Sequence, residues 1–358
     1  MGEDFPFAWL AEVMTICPSA ANCMEYAHRV VEQAKVRRIK ELCQRLAEDE
    51  ISTSDEMMTL ARQEIADIGE AGGTRGLISP GDSFRRLFDA VTAAANGRKN
   101  YIPVGYSALD DALGGGLIRG GLFILGARPG VGKSALALEL ADRIEGPVLF
   151  VSLEMGEDQL NARRINRVTG IPQRRILQGR LDEAEWSSFA SMSAKLTERQ
   201  VYFNDRPDMT VSRIQMLAQD IQDLQAVIVD YLGLVLPSTP GKSAYDRVTE
   251  VSRDLKRLAL RLNVPVVALC QLSRASATRE DKSPQLTDLR DSGAIEQDAD
   301  AVFLLHHLEA MPCNGTSMKV DLRLAKNRHG PLATIPFLFT PSRFAFREDY
   351  DRLRGGVA

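Results

Sequence analysis

The protein has 358 residues, 44% of them hydrophobic, enough for one substantial core and a second, smaller unit. Its 44 basic and 48 acidic side chains leave a formal charge of -4, so no global basic field advertises nucleic acid and any such contact has to be local. Five cysteines without a CxxC pair argue against a disulfide framework or a zinc site; an acidic N-terminus and the lack of a run of about 18 apolar residues point to a cytoplasmic chain with no membrane partner.

From Ser19 to Asp49 apolar residues recur at helical spacing through Tyr26, Val30, Ala34, Ile39, Leu42 and Leu46, which predicts a long amphipathic helix. Thr53 and Glu56 have capping-box spacing at the head of a second helix through Met57, Leu60, Ala61, Ile65 and Ile68, completing a hairpin. The glycine-rich stretch 69–82 reads as a connection. Beyond it Phe84, Leu87, Phe88, Val91 and Ala94 form an apolar stripe on a helix too short to bury that face alone. It must dock on something, and another subunit is one candidate.

After residue 100 short apolar runs alternate with helical patterns, the mark of a parallel α/β sheet. The strand candidates are 121–127, 148–154, 226–232, 264–271 and 301–307. A crossover helix with Val248, Val251, Leu255, Leu258 and Leu262 on one face lies between the third and fourth. Further on, Val320, Leu322 and Leu324 alternate with polar residues, "NRHGP" turns the chain, and "TIPFLF" and "RFAF" read as antiparallel strands added at a sheet edge.

The first strand runs into "GARPGVGKS" and a helix, the context a phosphate-binding loop requires. Ala127, Arg128, Pro129, Gly130, Val131, Gly132, Lys133 and Ser134 would surround the phosphates of ATP, with Lys133 on the β and γ oxygens and the Ser134 hydroxyl on Mg²⁺. Ala127 stands where the usual pattern has glycine. "AVIVD" ends in Asp230, a second carboxylate for the metal. Glu154 closes another strand candidate, where it would either activate water or serve as a surface or capping carboxylate. Gln271 would report the state of the γ-phosphate or simply end its strand, and the pair His306 and His307 reads as a strand end.

Together these motifs resemble the DnaB family of bacterial replicative helicases, within the RecA-like ATPases. Besides the phosphate loop the chain has "SLEMGEDQL", "VIVDYLGLV", "NVPVVALCQLSR", "DLRDSGAIEQDADAVFLL" and "LAKNRHGP" in the family's order, and "PSAANCMEYAHRVVEQAKVRR" is similar to its helical hairpin. The resemblance implies that Glu154 activates the attacking water and that Gln271 links nucleotide state to DNA. It implies further that Lys326 and Arg328 enter the neighbouring subunit's ATP site, Arg328 as arginine finger, and that Arg290, Asp291, Ser292 and Gly293 hold single-stranded DNA in a central channel. Lys242 is a weaker candidate for a second channel loop, with a solvated lysine as the plainer reading. Gly233 and Ser273 stand where the family commonly has glutamine and asparagine, and the globular helical part that precedes the hairpin in the family is not seen, which puts primase docking in doubt.

The reading is an α/β protein with a RecA-like P-loop domain over 105–350, a helical N-terminal region over 1–75, a linker with a docking helix over 76–104 and a tail over 351–358. The function expected is ATP- and Mg²⁺-dependent unwinding as a homohexamer, 5′ to 3′ by resemblance, with primase and a helicase loader as further partners. The rivals are a RecA-like recombination or repair ATPase, and a headless ring that joins a loader without unwinding. Intact Lys133, Glu154 and Arg328 argue against the last.

Overall fold

The computed structural model of the protein describes residues 23–48, 53, 57–58, 60–61, 64–65, 68, 79–95, 100–237, 243–273, 283–289, 292–308 and 317–355. It divides into two units, Met1–Asp89 and Ala90–Ala358. In the first, helix α1 (Cys23–Glu48) is followed by residues 57, 58, 60, 61, 64, 65 and 68, which are helical. The Met57 amide donates to the Thr53 carbonyl at 3.0 Å, opening that turn; Glu56 lies outside the described residues. Leu42 and Ile68 are buried, and Arg45 pairs with Glu64 at 2.9 Å, whereas Val30 and Ile39 of the expected stripe are exposed. Helix α2 (Pro80–Ala95) buries none of its side chains: Phe84, Leu87, Phe88 and Val91 all stand in solvent.

The second unit begins with a two-stranded antiparallel pair, β1 (Tyr101–Ile102) with β2 (Leu117–Ile118), around helix α3 (Ser107–Ala112). A nine-stranded sheet follows. Its elements are β3 (Leu122–Ala127), α4 (Lys133–Arg143), β4 (Val148–Ser152), α5 (Glu157–Thr169), α6 (Gln173–Leu177), α7 (Glu183–Thr197), β5 (Val201–Asn204), α8 (Val211–Gln219), β6 (Ala226–Asp230), α9 (Ala244–Leu262), β7 (Val266–Gln271), α10 (Ser292–Asp298), β8 (Ala301–His307), β9 (Met318–Asn327), β10 (Ala333–Thr340), β11 (Ala345–Glu348) and α11 (Tyr350–Gly355). The strand order is β11-β10-β9-β8-β3-β7-β6-β4-β5. From β8 to β5 all pairs are parallel, and β9, β10 and β11 extend the sheet antiparallel.

Strand alternation divides the core between the two faces of the sheet. Phe123, Leu125, Phe150, Ile228 and Leu269 pack on Leu136 and Leu140 of α4, while Ile124, Val151, Val229 and Ala268 pack on Ile214 of α8 and on Val251, Leu255 and Leu258 of α9. Every run expected as a strand contains one, β4 and β6 ending two residues earlier than expected at Ser152 and Asp230, and three antiparallel edge strands follow at 318–348. Strand β5 escaped the reading because it is a short edge strand without a buried residue. Residues 351–355 of the expected tail belong to α11, whose Arg352 pairs with Asp321 of β9 at 2.7 Å.

Candidate active site

A parallel sheet delivers the ends of its strands to one edge, and β3, β4, β6 and β7 each end there in or beside a residue singled out from sequence. Between β3 and α4 the loop turns at Gly130 (φ 80°) and Gly132 (φ 102°). A Cβ on Gly132 would lie 2.9 Å from Cζ of Phe346 and 3.1 Å from Cζ of Phe339, so glycine is required by both backbone and packing. Helix α4 starts at Lys133, and the amides of its first turn face the loop, a natural seat for anions. Beneath the loop, His307 Nε2 lies 3.3 Å from the Val131 carbonyl.

A cavity of ≈ 330 Å³ is lined by Ala127, Arg128, Pro129, Gly130, Gly132, Lys133 and Ser134, together with Glu154, Gln271 and Arg163. Val131 is buried and does not line it. Glu154 is exposed in the bend after β4, a bend tied by the Ser152 hydroxyl, which donates to the Met155 carbonyl at 2.6 Å and accepts from its amide at 3.3 Å. Asp230 ends β6 with 1% of its surface exposed; its Oδ1 is 3.6 Å from Lys133 Nζ and has no hydrogen-bond partner among the described residues. The Lys133 charge offsets part of the cost of burying that oxygen, and a lone pair left without a hydrogen bond remains open to a metal ion or a metal-bound water. The donor set of Ser134 and Asp230 therefore fits a hard divalent metal.

Arg163 was not singled out from sequence. Its guanidinium lies over the Phe344 ring at 4.7 Å and its Nε is buried with no hydrogen-bond partner among the described residues. Burial lowers its pKa, while the Asp230 and Glu154 carboxylates act the other way. In "NARRINR" nothing distinguishes Arg163 from Arg164 except about 100° of helical rotation. Arg164 turns into the core, where its Nε and Nη2 donate to Asp142 of α4 at 2.9 and 2.7 Å; Arg167, three residues on, donates to the same carboxylate. That clamp sets the rotation of α5 and so aims Arg163 at the cavity.

Lys326 and Arg328 do not line the cavity. Both lie near the end of β9, and Arg328 is 47% exposed. Arg290, Asp291 and Lys242 lie outside the described residues, and Ser292 and Gly293 form the first turn of α10 rather than a loop. Among the described residues no helix is long and apolar enough to cross a membrane.

A model of the DnaB-like helicase C-terminal domain matches residues 101–348. The chain is 35% identical over 356 residues to the replicative DNA helicase DnaB of Leifsonia xyli subsp. xyli, covering 94% of this chain and 77% of that protein. It is 32% identical to the replicative DNA helicase DnaB of Geobacillus stearothermophilus, covering 93% and 76%. Among solved structures it is similar to an ATPase domain of which it covers nearly the whole (TM-score 0.69, 29% identity, 76% of this chain and 99% of that one). It is also similar to a DnaB-like replicative helicase described with its interactions with primase (TM-score 0.67, 27% identity, 95% and 83%). With a glycine-turned loop leading into helix α4, a buried aspartate ending β6, and a glutamate and a glutamine lining one cavity on a RecA-like sheet, and with this similarity over most of its length, the chain belongs to the DnaB-like family of replicative DNA helicases, which hydrolyse ATP.

Proposed function

We propose that the protein moves on single-stranded DNA as a homohexameric ring and unwinds duplex, 5′ to 3′ as in the family it belongs to, with each ATP held between two subunits. The observation that carries this reading is the division of the catalytic groups. Lys133, Glu154 and Gln271 share one cavity, whereas Arg328 sits away from it on an exposed turn and must come from another copy to reach a phosphate. Lys133 and Arg163 supply positive charge to the phosphates. Ser134 and Asp230 would hold Mg²⁺, which when bound neutralises charge on the β and γ oxygens. Glu154 is the group that orients water and takes its proton, and Gln271 hydrogen-bonds the terminal phosphate or that water. Arg328 of the neighbour stabilises charge on the transferring group, a contribution of about 10³ to 10⁵ in rate. Lys326 accompanies it into the neighbouring site.

The exposed apolar stripe of α2 supports assembly. A cavity of ≈ 760 Å³ between α5, α6, α7 and β5, with Ile165, Ile176, Leu177, Phe189 and Leu196 in its wall, offers a matching apolar seat on the neighbour. Arg290, Asp291, Ser292 and Gly293 are assigned to the DNA, through a phosphate contact and backbone amides that do not read base identity. Primase and a loader are proposed as partners on the same family grounds.

Lys133→Ala should abolish ATP turnover and strand separation while leaving the thermal midpoint close to that of the parent, since the side chain serves the ligand rather than the core. A grossly unfolded variant would make the loop structural and end this reading. Particle mass with and without ATP separates a closed ring of six from the open filament of a recombination-type ATPase.

A further inference from the structure

The two cations reserved for a neighbour's phosphates are occupied in their own subunit. The Lys326 ammonium donates to the Ala299 carbonyl at 2.7 Å and to the Glu296 carbonyl, and Arg328 Nη2 donates to the Gln297 carbonyl. These carbonyls belong to the last turn of α10 and the residue just past it. Last-turn carbonyls have no partner within their helix and carry the negative end of its dipole, so a cation stabilises them. Further contacts fasten the seat. The Arg328 amide donates to the Asp300 carbonyl at 2.8 Å, and its guanidinium lies 3.7 Å from the Asp300 carboxylate. Asp300 is buried and itself held by the Leu122 amide and by Lys256, both at 2.7 Å. Lys326 and Arg328 share one side of the chain because they are two residues apart; Asn327 between them turns to the carbonyls of Ala112 and Pro331. Burial and the adjacent Arg328 charge lower the Lys326 pKa, and the Glu296, Asp300 and Asp298 carboxylates oppose that shift.

We infer that the C-terminal end of α10 is a second seat for these cations, capped by them while the neighbour lacks ATP and uncapped when the neighbour's triphosphate draws them away. The inference rests on the ring reading above. The contacts use the tips of both side chains, so the seat on α10 and the neighbour's phosphates exclude each other. The first turn of the same short helix contains Ser292 and Gly293, which the ring reading gives to DNA. Capping and uncapping α10 therefore links ATP on one subunit to the DNA-facing segment of the next, and the linkage is reciprocal: DNA bound at that segment and ATP on the neighbour change each other's affinity by one factor.

Hydrogen exchange on the full chain tests this. Without nucleotide, the amides of 296–299 should exchange about tenfold faster in Lys326→Met, which keeps the aliphatic stem, than in the parent, with Arg328→Ala as a second, more exposed variant shifting them in the same direction. A non-hydrolysable ATP analogue should then accelerate the same amides in the parent and leave the doubly substituted protein unchanged, which a merely structural lysine would not produce. Equal exchange in parent and variants without nucleotide overturns the cap. An unaccelerated parent in particles whose mass is hexameric overturns the exchange of seats, whereas analogue-bound particles that stay monomeric overturn the ring reading and the linkage with it, leaving the cap to stand on the nucleotide-free comparison.

Discussion

At Gly132 a single methyl group decides between a phosphate loop and a strained turn. Gly132→Ala would place a Cβ at 2.9 Å from Phe346 on a backbone with φ 102°, so the variant should lose about 1–3 kcal/mol in a denaturant titration and bind an ATP analogue more weakly, because Phe339 lines the cavity. Asp142 is a different kind of residue. Its carboxylate pairs with both the buried Arg164 and the part-buried Arg167, so Asp142→Ala leaves both charges without that partner and should cost about 3–5 kcal/mol, with ATP turnover falling further than stability alone explains as α5 loses the rotation that aims Arg163. Comparing turnover with the folded fraction at one temperature checks this. Lys133, Ser134 and Asp230 were legible in the chain because a phosphate loop and a strand-end aspartate are local patterns. Arg163 and Asp142 were not, because which arginine of a doublet turns outward is set by the helix against which α5 packs.

Helix α2 poses its question at the level of an element. Phe84 and Phe88 are 73% and 71% exposed, so they contribute little to their own subunit. Phe84→Ser combined with Phe88→Ser should therefore dissociate assembled particles in sedimentation at fixed nucleotide while leaving the unfolding midpoint of the subunit unchanged. Hexamers that survive would show that the stripe is not the fastening. The period of that stripe was legible because amphipathicity is a local property of 3.6 residues per turn. The cavity between α5, α6 and α7 was not, since it is made by helices that meet only after the sheet has brought them together. The alternation of β9 gave it away as a half-buried strand, while β5, with its residues half-exposed, left no pattern to read.

On the scale of the whole molecule, a head-to-tail ring builds each site from two copies, and that can be tested by mixing two inactive proteins. On the proposed division of the site, Glu154→Gln removes the water-activating group from a subunit's own cavity, and Arg328→Ala removes the finger it would lend. In an equal random mixture about a quarter of the interfaces combine an intact cavity with an intact finger, so basal ATP turnover should reappear once subunit exchange is verified. A mixture as inactive as its components, with exchange complete and the sites firing independently, would show that Arg328 acts within its own subunit or not at all. The sequence by itself determined the class of the molecule: the order of strand-loop-helix around "GARPGVGKS", the aspartate and glutamine at strand ends, and the edge hairpin all depend on neighbours a few residues apart, which is what local periodicity and turn chemistry encode. Only the tertiary structure decided that Glu154, Gln271 and Arg163 meet in one cavity, that Asp230 is buried with an unsatisfied oxygen, and that Lys326 and Arg328 rest on the far end of α10. Those outcomes depend on strand order and helix rotation, which are fixed by packing between segments that local periodicity does not connect: Glu154 and Gln271 lie more than a hundred residues apart, and Arg164 and Asp142, whose contact sets the rotation of α5, lie 22 apart.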